Sequence, residues 1–515
     1  MQNSDNIIQG SHLKKIVRHG LLYMVSSILV KAGHAILLPI YTYYLDPAEY
    51  AVFSNLMAIG AVAAVFISLY VDFAYVRLFF DTHDEPRKLK RLFSTLFFFS
   101  LSWGTIATVG AFFLVRNQTA QLLLVPWYPH ILLACVIPLV TQMNALAAAH
   151  FRSQHRSGTV SGATLLGFIS AAVVSVGLLS LTHIGPVSLL WGALAGACVI
   201  WLWYYGMLVR EKVVGWCFSF PFLKEALVYS LGLLPLTASA WVSGQLDKLL
   251  ITWFKALAES GVYSVAFELG RILNLFVMSL FMVYTPMMFA MLKEDARKNV
   301  GRIEQFQSFY FHIIIGMAFV ISIFSPEIFH LFIAQKYYAG ISLVPVIAFA
   351  FVFGGIRKLY ATVIYYHKLT LLISLGGIMQ AVISFGLNVL LIPHFGGFAA
   401  AWSKLISMIL VAGYFYLLCA KYEPLRLNWR ALATTLSILG ACLALLGLCV
   451  YGLHLSFWPL AAAKGAIVVL ALALTWWSRF GAELRRVLTK KKVEQAPAVR
   501  QTSLPEDSMN QIDEV

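Results

Sequence analysis

Within otherwise apolar stretches this chain carries Lys31, Arg77, Lys248, Arg271, Arg357, Lys358, Lys404 and Lys464, against Asp72, Asp247 and Glu268. A charge at that depth in a bilayer costs at least about 2.5–3.5 kcal/mol, so by default each one faces protein or water and marks a substrate or ion path. The cations outnumber the acids, and such an excess lines a water-filled, electropositive path. Arg77, Arg357 and Lys358 fall near the inner ends of their stretches, where long side chains snorkel to water. Asp247 and Lys248 fall near an outer end and read as interface anchors. Glu268 and Arg271, three apart on one helix, either neutralise each other or contact cargo. Lys31, Lys404 and Lys464 have no acidic residue within one helical turn. The candidate substrate-contacting set is Lys31, Arg271, Lys404, Lys464, Asp72 and Glu268. Within it Lys31 stands out, near the midpoint of the stretch 17–44 and about 20 Å in rise from either end.

Other chemistry has no foothold. The chain shows no nucleotide-binding glycine loop, no paired-histidine metal motif and no nucleophile elbow. Neither a catalytic residue nor a cofactor is expected, and energy does not come from ATP bound by this chain. The cysteines, 6 in all, lie in or beside apolar stretches without close pairing and read as small hydrophobes.

These charges need a frame of membrane helices. Of 515 residues, 60% are hydrophobic and 12% charged, against about 25% charged in a soluble domain. A hydrocarbon core of about 30 Å takes roughly 20 apolar helical residues. Fourteen spans are predicted, at 17–44, 48–80, 91–115, 122–149, 157–181, 185–209, 219–246, 257–292, 303–324, 341–366, 369–392, 397–420, 431–453 and 456–478. The first twelve residues are polar, and the apolar stretch after them is too long for a signal peptide.

The loops sort by charge. One side holds clusters such as Arg87, Lys88, Lys90 and Arg91, then Lys293, Arg297, Lys298 and Arg302, then the run Lys490 to Lys492. The other side holds only Arg116, Lys255 and Lys336. This bias puts both termini in the cytoplasm, and it explains the formal charge of +15 without nucleic acid. The tail from 479 to 515 is polar and expected to be disordered.

A faint repeat runs through the chain. Ala51-Val52-Phe53-Ser54 opens the second span and Gly261-Val262-Tyr263-Ser264 the eighth, each after an acidic turn. Spans 1–6 and 7–12 then form two related halves, with a site between them. The expected organisation is an all-α polytopic membrane protein with a cytoplasmic segment 1–16, halves at 17–215 and 216–425, an added helix pair at 426–478 and a cytoplasmic tail at 479–515.

Four landmarks point to a family. They are Leu38-Pro39-Ile40 with Tyr44-Leu45-Asp46-Pro47-Ala48-Glu49-Tyr50; Ser260 to Ala266; Ser325-Pro326-Glu327-Ile328-Phe329-His330 with Tyr337-Tyr338-Ala339; and Ile392 to Ala401. The chain resembles the polysaccharide transporters of the MOP (multidrug/oligosaccharidyl-lipid/polysaccharide) exporter superfamily, the O-antigen and exopolysaccharide flippases of the Wzx type. It departs from them at Ala51, where the family usually has glycine, so the first hairpin is expected to pack differently.

The resemblance implies a fourteen-helix flippase of the bacterial inner membrane. Its cargo would be an undecaprenyl-pyrophosphate-linked oligosaccharide, and its partners membrane lipids and other polysaccharide-assembly proteins. Two alternatives stay open: a multidrug or cation antiporter of the same superfamily, and a membrane glycan polymerase or ligase. The cationic spans weigh against the first. The lack of a large outside loop, the longest being about 325–340, weighs against the second.

Overall fold

A computed structural model describes residues 32–423 and 457–477, together with residues 26, 28–30, 433 and 437. Lys31, the segment 1–16, nearly all of the thirteenth span and the tail 479–515 lie outside the described residues. Within them the chain is all-helical. Nine helical stretches are long and apolar enough to cross a membrane, and a bent pair makes a tenth.

The first helix, α1, occupies 32–44 and turns at Leu45-Asp46 into α2 (Pro47–Ser68). That turn follows from local chemistry. Pro47 takes a first-turn position, where its missing N–H costs nothing, and Glu49 accepts the Asp46 backbone N–H at 2.9 Å to close a capping box. The second span then breaks. Leu69 and Tyr70 both adopt left-handed φ values (43° and 54°) before α3 (Val71–Thr82) resumes. Four helices complete the first half: α4 (Pro86–Leu123), α5 (Leu132–Ser153), α6 (Ser157–Leu181) and α7 (Val187–Arg210). Nothing in the sequence stops α4 at the expected 115, so Arg116 lies on the helix and not in a loop.

The seventh span is the bent pair α8 (Phe220–Leu231) and α9 (Leu234–Phe254), which meet at 44°. Gly232 and Pro235 flank the break, the one weakening the helix and the other unable to donate to it. Leu223 and Ala226 of α8 share a core with Tyr75, Phe93 and Phe151 of the first half. The expected outer end at 246 lies too early, because α9 continues to Phe254. Asp247 and Lys248 are therefore buried inside the bundle and are not interface anchors.

Next come α10 (Leu257–Gly270) and α11 (Ile272–Phe332), then α12 (Leu343–Tyr366) and α13 (Thr370–Tyr422). The ninth span runs past its expected end at 324, which puts Glu327 on a helix and not in an outside loop. Helix α13 holds the eleventh and twelfth spans, which part at Pro393 and Gly396. Gly396 has φ +58°, a conformation that costs side-chain-bearing residues about 1–2 kcal/mol. The fourteenth span appears as α14 (Phe457–Trp477).

The two stretches that carry the sequence echo lie side by side. Helices α2 and α10 start at equivalent places and pack on each other. Ser54 and Ser264, separated by 210 residues in sequence, bring their hydroxyls to 3.0 Å. The departure at Ala51 leaves it fully buried, whereas at the matching Gly261 any Cβ would run into the Pro47 carbonyl. The hairpin at Asp46 is held by Lys336 (Nζ to Oδ1 2.8 Å) and by Tyr337, whose hydroxyl donates to the Leu45 carbonyl at 3.0 Å. Asn55 donates to Thr252 Oγ1 (2.6 Å) and Trp241 to the Ala58 carbonyl (2.9 Å), closing the seam between α2 and α9. The bundle is thus shut at the end that the loop charges assign to the outside.

Candidate functional site

A charged cluster lies where α9, α10 and α13 meet, below that closed end. Lys404 on α13 pairs with Asp247 Oδ2 at 3.0 Å and donates to the Ser243 carbonyl at 2.9 Å. The Tyr263 hydroxyl donates to the same carboxylate at 2.6 Å, so Asp247 is held from two helices. Lys248 is only 5% exposed, and its ammonium forms no ion pair among the described residues. Both ammonium groups lie near the ring of Phe267, Lys404 at 4.7 Å and Lys248 at 5.3 Å from its centroid. A ring face attracts a desolvated cation by about 2 kcal/mol, less than the cost of burying one without a counter-ion. The cluster therefore carries uncompensated positive charge.

One turn along α10, Glu268 pairs with Arg271 (Oε2 to Nε 2.7 Å). Self-neutralisation, one of the two expected roles, describes this contact, and the guanidinium stays half-exposed beyond it. Lys358 of α12 extends the row, reaching Asn274 Oδ1 (3.4 Å) and Met278 Sδ (3.1 Å) on α11. Beside it Arg357 is half-buried, with an Nε that finds no hydrogen-bond partner.

The sequence-derived candidates thus scatter. Arg271, Glu268 and Lys404 fall in or beside this cluster. Asp72 does not: it starts α3 and lines a separate cavity of about 650 Å³ with Arg77, Arg152 and Tyr229. Lys464 has no acidic residue within one turn of its own helix, and Glu327 meets it at 2.6 Å from 137 residues away, while the Ile323 carbonyl accepts at 3.1 Å. It ties α14 to α11. Lys404 likewise gains a partner that the sequence did not show. Asp247 and Lys248 are site residues outside the sequence-derived set, because α9 carries them inside the bundle and not to its outer edge. The polar run Ser239, Ser243, Asp247 at every fourth position of α9 was the available signal.

The landmarks find their roles at the closed end. Glu259 opens α10, and its Oε1 accepts the Gly397 backbone N–H at 2.7 Å. It lies against Gly396, where a Cβ would collide with it. In the first half Glu49 lies against Gly185, which also has positive φ (+66°). The same acid-against-glycine contact recurs in both halves.

A helical bundle with charges buried among its spans, here between α9, α10 and α13, is an arrangement that transporters use. Solved structures share the fold. The chain matches the lipid II flippase MurJ in an inward closed conformation with a TM-score of 0.65 at 11% identity, over 91% of this chain and 100% of that one. It matches the inward-facing conformation of a multidrug resistance MATE family transporter of the MOP superfamily with a TM-score of 0.61 at 14% identity, over 78% and 97%. A MOP superfamily transporter from Pyrococcus furiosus, described as having a binding pocket of reverse polarity, matches at 0.55 and 16%, over 79% and 95%. The fold is that of the MOP superfamily. Residues 43–342, more than half of the chain, match the family described as polysaccharide biosynthesis protein, and the chain belongs to that family. No curated protein matches it in sequence.

Proposed function

We propose that the chain is a flippase that carries lipid-linked oligosaccharide, with its pyrophosphate, from the cytoplasmic to the outer leaflet of a bacterial inner membrane. The observation that carries this reading is Lys248, a buried ammonium without an ion pair among the described residues, beside Lys404 on the Phe267 ring. A buried ammonium without a direct ion pair is costly, and an anionic headgroup arriving from water relieves that cost. Arg271 and Lys358 prolong the positive row towards the opposite end. The family and the fold agree with this reading. Both termini lie in the cytoplasm, and with the outer end shut the site is reached from inside.

Transport needs the outer end to open while the inner end shuts. The contacts to be exchanged are Asp46 with Lys336, Tyr337 with Leu45, and Ser54 with Ser264. The chain is read as a carrier and not as an enzyme, a reading supported by the flippase and transporter folds that it matches.

The test is a deletion strain. Loss of the gene should leave lipid-linked oligosaccharide on the cytoplasmic face and remove a surface glycan. Lys248→Ala should fail to restore export at normal membrane abundance, and Lys248→Glu should fail as well. Full restoration by Lys248→Glu would overturn the proposal. Normal surface glycan with new drug sensitivity would favour a multidrug antiporter instead.

A further inference from the structure

The cavity at Asp72 lies away from the buried cations, at the end of the bundle that carries the basic loops. It holds about 650 Å³ between α3, the end of α5 and α8. A neighbouring space of about 510 Å³ shares Arg77 and Tyr229 with it. Its walls combine two kinds of group. Phe73, Phe80 and Tyr229 present rings that are 54%, 58% and 46% exposed. Between them stand Asp72, Arg77 and Arg152. The rings and the charged groups thus line one cavity.

The break at Leu69 and Tyr70 makes this wall. A straight continuation of α2 would aim the next turn differently; the left-handed pair starts a new helix at Val71, with Asp72 in its first turn. The charges here nearly balance, because Arg77 already bonds Asp81 and Asp72 stands with Arg152. A balanced cavity of planar donors, a carboxylate and aromatic platforms suits a neutral, polyhydroxylated ring. Such a ring has an apolar C–H face to lay on an aromatic side chain and hydroxyls to bond the forked groups. The volume lies in the range of roughly 300–1,000 Å³ typical of ligand pockets.

We infer that this cavity is a carbohydrate subsite that holds the sugars of the cargo, apart from the buried cations that face its phosphates. The inference rests on the reading of the cargo as a lipid-linked glycan. Phe73, Phe80 and Tyr229 supply the platforms, while Asp72 and Arg152 bond the hydroxyls and so select which sugar is carried.

The test uses the full chain purified in detergent and, as probe, the repeat-unit oligosaccharide released from the strain's own lipid carrier by mild acid. Calorimetry should show binding by the unaltered chain. The pair Phe80→Ala with Tyr229→Ala should weaken it by about tenfold or more, as should Asp72→Asn. Tyr229→Phe, which keeps the ring, should keep it. Saturating inorganic pyrophosphate should not displace the glycan. Because Phe80 and Tyr229 are exposed, unchanged melting temperatures should accompany the loss. Unchanged affinity in both the paired variant and Asp72→Asn would overturn the inference, and so would displacement by pyrophosphate. If intact lipid-linked oligosaccharide binds and the free glycan does not, the subsite falls while the flippase reading stands. If neither binds, both fall.

Discussion

The hydroxyls of Ser54 and Ser264 lie 3.0 Å apart, and these serines hold the same place in the two halves of the chain. A residue that touches its own repeat equivalent must sit close to the axis relating the halves. The pair is buried, and it joins α2 to α10 just inside the closed outer end. Opening that end must separate them or slide them past each other, which makes this contact a direct reporter of the transport cycle.

Gly261 shows how tight that closure is. Its Cα side faces the Pro47 carbonyl with no room for a methyl group. Gly261→Ala should disfavour the closed state by roughly 1–3 kcal/mol, the usual cost of overpacking. A cysteine placed at residue 54 in a cysteine-free chain should then react faster with an impermeant thiol reagent added from outside. Equal labelling rates with and without Gly261→Ala would refute this.

Asp46 has two tasks and Lys336 one. The ion pair between them is largely exposed on the Asp46 side, where such pairs contribute about 0–1 kcal/mol. Asp46 also caps α2, which adds typically about 1 kcal/mol. Asp46→Ala should therefore lower the melting temperature more than Lys336→Ala. Asp46→Asn, which keeps a capping side chain, should behave like Lys336→Ala. A larger effect of Lys336→Ala would show that the pair, not the cap, holds the hairpin.

Lys464 and Glu327 form a buried pair at 2.6 Å that pins α14 to α11. Removing one partner leaves the other charge uncompensated, at a cost of about 3–5 kcal/mol. Lys464→Met or Glu327→Leu alone should cut membrane abundance, and the two together should restore much of it along with export. Export that stays lost in the abundant double variant would mean that Lys464 acts on cargo.

Lys404 is expected to behave differently. Lys404→Ala leaves Asp247 buried with only the Tyr263 hydroxyl and the Lys248 backbone N–H as donors and should lower abundance, while Lys404→Ala with Asp247→Asn should recover it. Export should remain impaired in that double variant, because one of the two positive charges beside Phe267 is gone. Complementation and immunoblot on the same membranes separate the two effects, and recovery of export would assign Lys404 a purely structural role.

Much of this protein is legible in its sequence, for a physical reason. A bilayer acts on each segment separately, so length, hydropathy and flanking charge are enough to mark the helices and to set an expected orientation. The repeat, too, was visible in four residues around Ser54 and four around Ser264. The capping box at Asp46 and the punctuation at Pro393 and Gly396 are local, and the structure uses them where the sequence puts them.

Counter-charges are not local. Lys464 has no acid within a turn of its own helix, yet Glu327 meets it across the bundle; Lys404 meets Asp247 in the same way. The low dielectric of the interior makes such a partner decisive, and only the packing of distant helices says which cation receives one. Lys248, an expected interface anchor just past residue 246, is a buried cation without an ion pair among the described residues because α9 continues to Phe254. Backbone breaks at Leu69-Tyr70 and at Gly232 likewise depend on what each half-helix packs against, so their angles, and the cavity at Asp72, exist only in the folded chain.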